Sequence, residues 1–334
     1  MDSLTQIILG GAIGNAVLGN KLKNKAVLYG AVAGTIPDLD VAVGWFTDSL
    51  TALEIHRGIS HSILFALVSS FLFGYILFRR ERNKGVTYEE GYWLFFWGLF
   101  THSLLDAFTS WGTRLLWPMD YSFAFKSIFV IDPLYTLPFL FFLIQSMRSK
   151  NDLVKRMQYN TLGLIVSTGY LCITLFLKGV VYYKFTDSLG KQNIEYTSLS
   201  VKPTAMNTIL WNGIVETKDS FLIGEYSFFD QSQLRFQVFN KNHHYTEQLM
   251  NHQLLKRLVR VSEGKFTISE EDERLYFNDL RFGLLKNNGD DIQFAFSYEF
   301  YVNSHGELAV REVKKERADG IILLKKLWQR LKGM

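Results

Sequence analysis

Long apolar runs crowd into the first 180 residues and then stop, and this division constrains the fold more than any other feature of the chain. A helix that crosses the hydrocarbon core of a bilayer needs ~20 mostly apolar residues. Six segments, near 3–19, 26–45, 61–78, 92–111, 128–147 and 161–180, approach that requirement. The expected fold is a polytopic α-helical membrane domain of about six helices over 1–180, followed by a small strand-rich α+β domain over 181–334. The first segment is glycine-rich and contains Gln6, so it reads either as a span or as a re-entrant segment. Its opening, "MDSLTQIILG", lacks a basic n-region and a clear cleavage site, so the first helix is expected to serve as its own targeting signal.

Positive charge sets orientation, because Lys and Arg are retained on the cytoplasmic side. Lys21, Lys23 and Lys25 follow the first segment; Arg79, Arg80, Arg82 and Lys84 follow the third; Arg148, Lys150, Lys155 and Arg156 follow the fifth. These are alternate loops. The expected location is the cytoplasmic (inner) membrane, with the loops at 46–60 and 112–127 and everything after residue 181 facing outward.

Beyond residue 181 the pattern changes. "FLIGEYSFF" and "QLRFQVFN" read as strands, and "DDIQFAFSYEFYVNSHGELAVREV" as two strands joined at Ser304–Gly306. "TEQLMNHQLLKRLVRVSEG" has helical spacing and ends at a glycine. The final "GIILLKKLWQRLKGM" is a basic amphipathic helix, suited either to a lipid surface or to the domain's own core. A net charge of +4 is too mild to argue for nucleic acid. The single cysteine, Cys172, rules out a disulfide framework within the chain.

The membrane half carries ionisable groups where they are costly. An Asp at a helix centre costs ~2.5–3.5 kcal/mol on insertion scales, so each is a functional hypothesis. The set comprises Asp38 and Asp40 in "GTIPDLD", His56 and His61 in "HRGISHS", His102 and Asp106 in "THSLLDAFTSWG", and Asp132 in "IDPLY". Pro37 breaks or kinks the second helix, which lets Asp38 and Asp40 turn toward one cavity. Ser60 suits an N-cap that puts His61 in the first turn of the third helix, and His56 reaches back from the preceding loop. His102 and Asp106, four apart, share one helix face.

With six spans, every one of these clusters falls near the outer face. Three histidines and several carboxylates at one depth suit a divalent metal: zinc first, with manganese or iron where carboxylates dominate. The plainer readings stand beside it. His102 can be a helix–helix hydrogen bond, Asp106 an orienting partner, Asp132 a cap on the fifth helix, and Arg57 an interface anchor or a phosphate ligand. The set can also serve a proton or ion pathway. His243, His244, His252 and His305 have no ligand-like spacing and read as surface residues, while Trp211 and Asn212 are expected on a surface facing the membrane site.

These residues in this order resemble the YdjM-like family of membrane-bound metal-dependent hydrolases. The matching pieces are "MDSLTQIILGGAIG", "GTIPDLD", "HRGISHS", "HSLLDAFTSWGTRLLWP", "IDPLYTLP" and, in the second half, "KPTAMNTILWNGIV". The family is itself distantly similar to the zinc-dependent phospholipase C and nuclease group, which cleaves phosphoesters with clustered zinc ions in a helical core. The resemblance implies that Asp38, Asp40, His56, His61, His102 and Asp106 are the metal residues. Two positions depart from it: Gln6 stands where many relatives have histidine, and Asn15 where "GEA" is common.

The function expected is hydrolysis of an amphiphilic, phosphoester-bearing lipid or lipid-linked substrate at the outer membrane face. Arg57 would neutralise phosphate charge and Asp106 would join the chemistry. The alternatives are metal or ion transport through the same residues, or a non-catalytic scaffold with a structural metal whose outer domain binds an envelope protein. The absence of an internal repeat counts against a transporter.

Overall fold

The computed structural model describes residues 1–47, 50–51, 56–249, 252–288, 291–313 and 320–333. The chain forms two compact units. One comprises Met1–Lys178 with Pro203–Thr208, and the other Gly179–Lys202 with Ile209–Met334.

The first unit is helical. Asp2 caps α1 (Ser3–Leu22) by accepting from the Thr5 amide. After a tight break at Lys23 the chain returns as α2 (Asn24–Ala33). Gly10 and Gly14 of α1 face Gly30 and Gly34, and a Cβ on any of the four would collide with backbone of the opposite segment. The two helices therefore lie backbone to backbone. Pro37 then opens a 3₁₀ run, Pro37–Trp45, bent 48° from α2.

Ser62 caps α3 (Ile63–Glu81), accepting from the Phe65 amide at 3.0 Å. A Thr87/Glu90 capping box starts α4 (Tyr88–Ala107). Gly98 lets α4 approach Ala33 at the end of α2. Asp132 caps α5 (Pro133–Arg148), and α6 runs unbroken over the 39 residues Leu153–Lys191. One apolar core joins Ile8, Leu9 and Ala12 to Leu105, Tyr135, Phe139 and Leu143; another joins Leu18, Ala26 and Ala33 to Leu77, Leu94 and Phe95.

The expectation of about six membrane helices is not met. Among the described residues two helical segments are long and apolar enough to cross a membrane, Ile63–Lys84 and Leu153–Lys191, or three if the bent pair Asn24–Ala33 and Pro37–Trp45 forms one span. The reasons are physical. Gln6, Asn15 and the glycines dilute the apolar character of α1, and α4 opens on Glu89 and Glu90 and closes on His102 and Asp106. The 16 residues of α5 reach ~24 Å at ~1.5 Å per residue, short of a ~30 Å hydrocarbon core. The orientation argument from alternate loops between six spans falls with that count.

The second unit holds two four-stranded sheets. The first has the order β1 (Ser198–Pro203), β2 (Leu210–Glu216), β3 (Ser220–Ser227), β4 (Phe236–Asn240). The second has the order β5 (Phe266–Glu271), β6 (Arg274–Asn288), β7 (Asp291–Val302), β8 (Leu308–Glu312). The described pairings are antiparallel. Ile214, Phe221, Ile223 and Phe239 pack with Leu280, which joins the sheets in one core. The end of α6 belongs to this unit, where Leu189 packs on Val215 and Leu222.

The expected helix over 246–264 forms as a 3₁₀ run followed by α7 (Gln253–Val261). The terminal helix is α8 (Gly320–Leu331). Its end is tied down by Arg330, which holds Asp230 through both terminal nitrogens at 2.7 Å, and by the Ser227 hydroxyl, which donates to the Leu331 carbonyl. Its outer stripe leaves Leu324 and Trp328 exposed. Trp211 and Asn212, expected on a surface, are buried.

Candidate metal centre

Four side chains from three segments converge in the first unit. Asp38 comes from the 3₁₀ run after α2, His61 from the short turn Ile59–His61 that precedes α3, and His102 and Asp106 from the last turns of α4. One ligand atom from each lies within 4.8 Å of all the others. The inner three form a tight triangle: His61 Nε2 to His102 Nε2 is 3.2 Å, and Asp38 Oδ1 stands 3.4 Å from each. Asp106 Oδ2 is the looser corner, 3.6 Å from His61 Nε2 and 4.0 Å from His102 Nε2. Two ligands bound at ~2.0–2.1 Å to a tetrahedral zinc stand ~3.4 Å apart. The triangle matches that edge.

The tautomers agree with this geometry. His102 Nδ1 lies 2.6 Å from the carbonyl oxygen of Gly34. A carbonyl only accepts, so Nδ1 carries the proton and Nε2 presents its lone pair to the cluster. Such a bond is the usual way a ligating imidazole is oriented. The Nδ1 atom of His61 lies 3.0 Å from Ser60 Oγ and 3.4 Å from Asp40 Oδ2, which leaves its Nε2 facing the same point. Burial disfavours charge on His61, but Asp38 and Asp40 more than offset it and hold the imidazole above its ordinary range.

An outer layer surrounds the four. Asp40 accepts from Ser60 Oγ at 2.6 Å and from the Arg57 amide at 3.1 Å, and its other oxygen lies 2.7 Å from His56 Nδ1. Asp40 and His56, both expected to be ligands, therefore bond to each other outside the inner cluster. Ser60, expected to cap α3, instead braces Asp40, and Ser62 makes the cap. Arg57, with φ +63°, places Nε 3.2 Å from Asp106 Oδ2 while Nη1 donates to Thr109 Oγ1 at 3.0 Å. Asp132 caps α5 and accepts from the Tyr170 hydroxyl at 2.9 Å.

Three groups in the layer carry no sequence signature. The amino group of Met1 pairs with Asp106 Oδ1. The Gln6 amide donates to Asp106 Oδ1 at 2.9 Å and to the His102 carbonyl at 3.2 Å, and the third group is the Gly34 carbonyl itself. Gln6, in sequence a polar interruption of the first segment and a departure from the resemblance, sits at the cluster's edge. Asn15, the second departure, sits elsewhere, against Arg156.

The residues pass a simple test of fit for a cation. Buried polar atoms in native proteins nearly always have partners. Here Gln6 Oε1 is buried without a hydrogen-bond partner, and Asp106 Oδ2, though 3.2 Å from Arg57 Nε, has none in hydrogen-bonding geometry. His61, His102 and Asp106 are almost wholly buried, and the side chain of Asp38 is 21% exposed, so approach is from the Asp38 side.

A helical unit with membrane-spanning segments and a buried Asp/His/His/Asp cluster defines an integral membrane protein with a candidate metal centre. The sequence profile of the YdjM inner membrane protein family matches residues 1–183. The chain belongs to that family, and so resides in a lipid bilayer. The match ends before "KPTAMNTILWNGIV", where the resemblance had been expected to continue. No curated protein and no solved structure matches the chain.

Proposed function

We propose that Asp38, His61 and His102 hold one divalent metal ion, zinc first, and that the centre hydrolyses a phosphoester-bearing amphiphile at the outer face of the inner membrane. The observation that carries this reading is the triangle of 3.2, 3.4 and 3.4 Å edges between one carboxylate oxygen and two imidazole Nε2 atoms. Two histidines and one carboxylate leave a fourth position for water or substrate, as in catalytic zinc sites. A metal held there would lower the pKa of bound water and polarise a phosphoryl oxygen.

The chain's own residues have separable parts. Asp106 stands at the loose corner, where it accepts a proton or completes the ligand set. Arg57 and Gln6 position Asp106, and the Arg57 guanidinium supplies a positive charge beside the cluster. Asp40 and His56 brace His61 and line the open side. Outward orientation is supported by two spans alone. Arg79, Arg80, Arg82 and Lys84 close the first span, and Arg148, Lys150, Lys155 and Arg156 surround the start of the second. Retention of those ends in the cytoplasm puts Ile63, and with it His61, on the outer side.

A second reading has its own observation. Three of the four candidate ligands are nearly inaccessible, which suits a closed, structural metal. Elemental analysis of detergent-purified protein, wild type beside His61→Ala/His102→Ala, tests both. About one equivalent of zinc, lost in the variant, together with phosphate release from lipid phosphomonoester or polyprenyl diphosphate vesicles, supports the hydrolase. Metal without turnover on either substrate favours the structural role. Absence of metal after reconstitution sinks both.

A further inference from the structure

The strongest unassigned feature lies at the other end of the helical unit, around Arg156. This side chain has 0% exposure. Its Nε donates to Asn15 Oδ1 at 2.7 Å and its Nη1 to Asn24 Oδ1 at 2.7 Å, while Nη2 is buried without a partner. Among the described residues no carboxylate lies within 4 Å of it. Asp152, the nearest acid in sequence, caps α6 at the Lys155 amide and pairs with Lys155 instead. A buried cation facing only neutral amides is costly, because no charge offsets its desolvation.

Asn24 links this guanidinium to a cleft of about 450 Å³ lined by Asn24, Ile144, Met147, Arg148 and Lys150. Because Asn24 Oδ1 is held by Arg156, its Nδ2 is the group left to donate elsewhere. Arg148 and Lys150 make no ion pair with any described residue. The lining thus combines two free cations and an amide donor with two apolar side chains, and a third, unpaired cation lies one hydrogen bond behind the wall. Basic pockets between membrane helices are the known form of anionic headgroup sites.

We propose that this cleft binds an anionic glycerophospholipid. Its phosphate is held by Arg148, Lys150 and the Asn24 amide, and its acyl chain lies against Ile144 and Met147. The negative charge offsets Arg156. The recognised chemistry is a phosphate, which could come from a lipid headgroup or from solution; the apolar wall favours the lipid.

The test uses the full chain in nanodiscs of three kinds: phosphatidylcholine alone, phosphatidylcholine mixed with phosphatidylglycerol, and phosphatidylcholine with added inorganic phosphate. The phosphatidylglycerol discs should raise Tm by about 4 °C over phosphatidylcholine alone, as expected for a ligand selective for the folded state. Arg148→Gln/Lys150→Gln should abolish that rise. Asn15→Asp, which gives Arg156 an internal carboxylate without touching the cleft, should cut it at least by half and serves if the double variant fails to fold. Equal Tm in the two lipid mixtures, an undiminished rise in either variant, or the same rise with inorganic phosphate overturns the proposal.

Discussion

The carbonyl oxygen of Gly34, at the end of α2, accepts the Nδ1 proton of His102 on α4 at 2.6 Å. This one bond ties the glycine seam between α1 and α2 to the face of the candidate metal centre. A Cβ at position 34 would meet the Gln6 carbonyl at 2.5 Å and Gly10 Cα at 3.1 Å, so it must displace the carbonyl. Gly34→Ala should therefore weaken metal affinity by about 10–100-fold, the usual cost of losing an orienting partner. Competition with a chelator of known affinity measures it. Unchanged affinity would show that the bond does not orient the ligand.

Asp38 and Asp40 stand two residues apart but are given different work. Asp38→Asn should abolish bound metal. Asp40→Asn should leave about one equivalent and lower affinity by roughly tenfold, because Asp40 acts on His61 through Ser60 and its own carboxylate. Metal content by mass spectrometry separates them, and equal loss in both variants would place Asp40 in the ligand set.

Gln6→His replaces an amide that already contacts Asp106 with an imidazole. The expected result is tighter metal retention on dialysis, by about tenfold, or a second equivalent at saturation, since each added imidazole is a strong zinc ligand. Retention equal to that of wild type would place position 6 out of reach of the ion.

Chelation tests the centre through stability. A metal bound by the folded centre stabilises it by mass action, about 4 kcal/mol at a thousandfold excess over Kd. Removal with EDTA should lower Tm in the wild type and leave Tm unchanged in His61→Ala/His102→Ala. An EDTA effect of equal size in both would place the stabilising ion at some other site.

In the second unit, Arg330→Ala should free the end of α8, because Arg330 is its two-pronged tie to Asp230. Loss of charge-assisted hydrogen bonds at this partly buried site is worth about 1.5–3 kcal/mol. Limited proteolysis should cut near 320–331 in the variant and spare the wild type.

Part of the clustered set was legible because ligand chemistry needs imidazole and carboxylate, and those types are conspicuous in apolar sequence. Asp38, His61, His102 and Asp106 meet in space. His56 and Asp40 satisfy the same pattern but pair with each other, a choice fixed by the turn geometry around Arg57 and invisible in spacing. The Gly34 carbonyl and the Met1 amine are backbone groups, which composition cannot flag. The span count was overestimated for a related reason. Apolar runs mark helices buried in protein as readily as helices facing lipid, and α1 is an interior helix whose polar Gln6 and Asn15 have protein partners. Strands β3, β4 and β7 announced themselves through aromatic alternation, and β8 through the turn before it; β2, with Asn212 and Gly213 at its middle, did not.

The glycine seam of α1 and α2 has a kinetic corollary. Helices locked backbone to backbone cannot part without losing contact along their whole length, so Gln6 and Gly34 belong to the tightly packed wall of the cluster. His56, Arg57 and Ser60 belong to short turns on the opposite side. Entry and exit of an ion would then be timed by those turns, while the seam governs how firmly it is held. Residence time and equilibrium affinity should respond to substitutions in different parts of the chain.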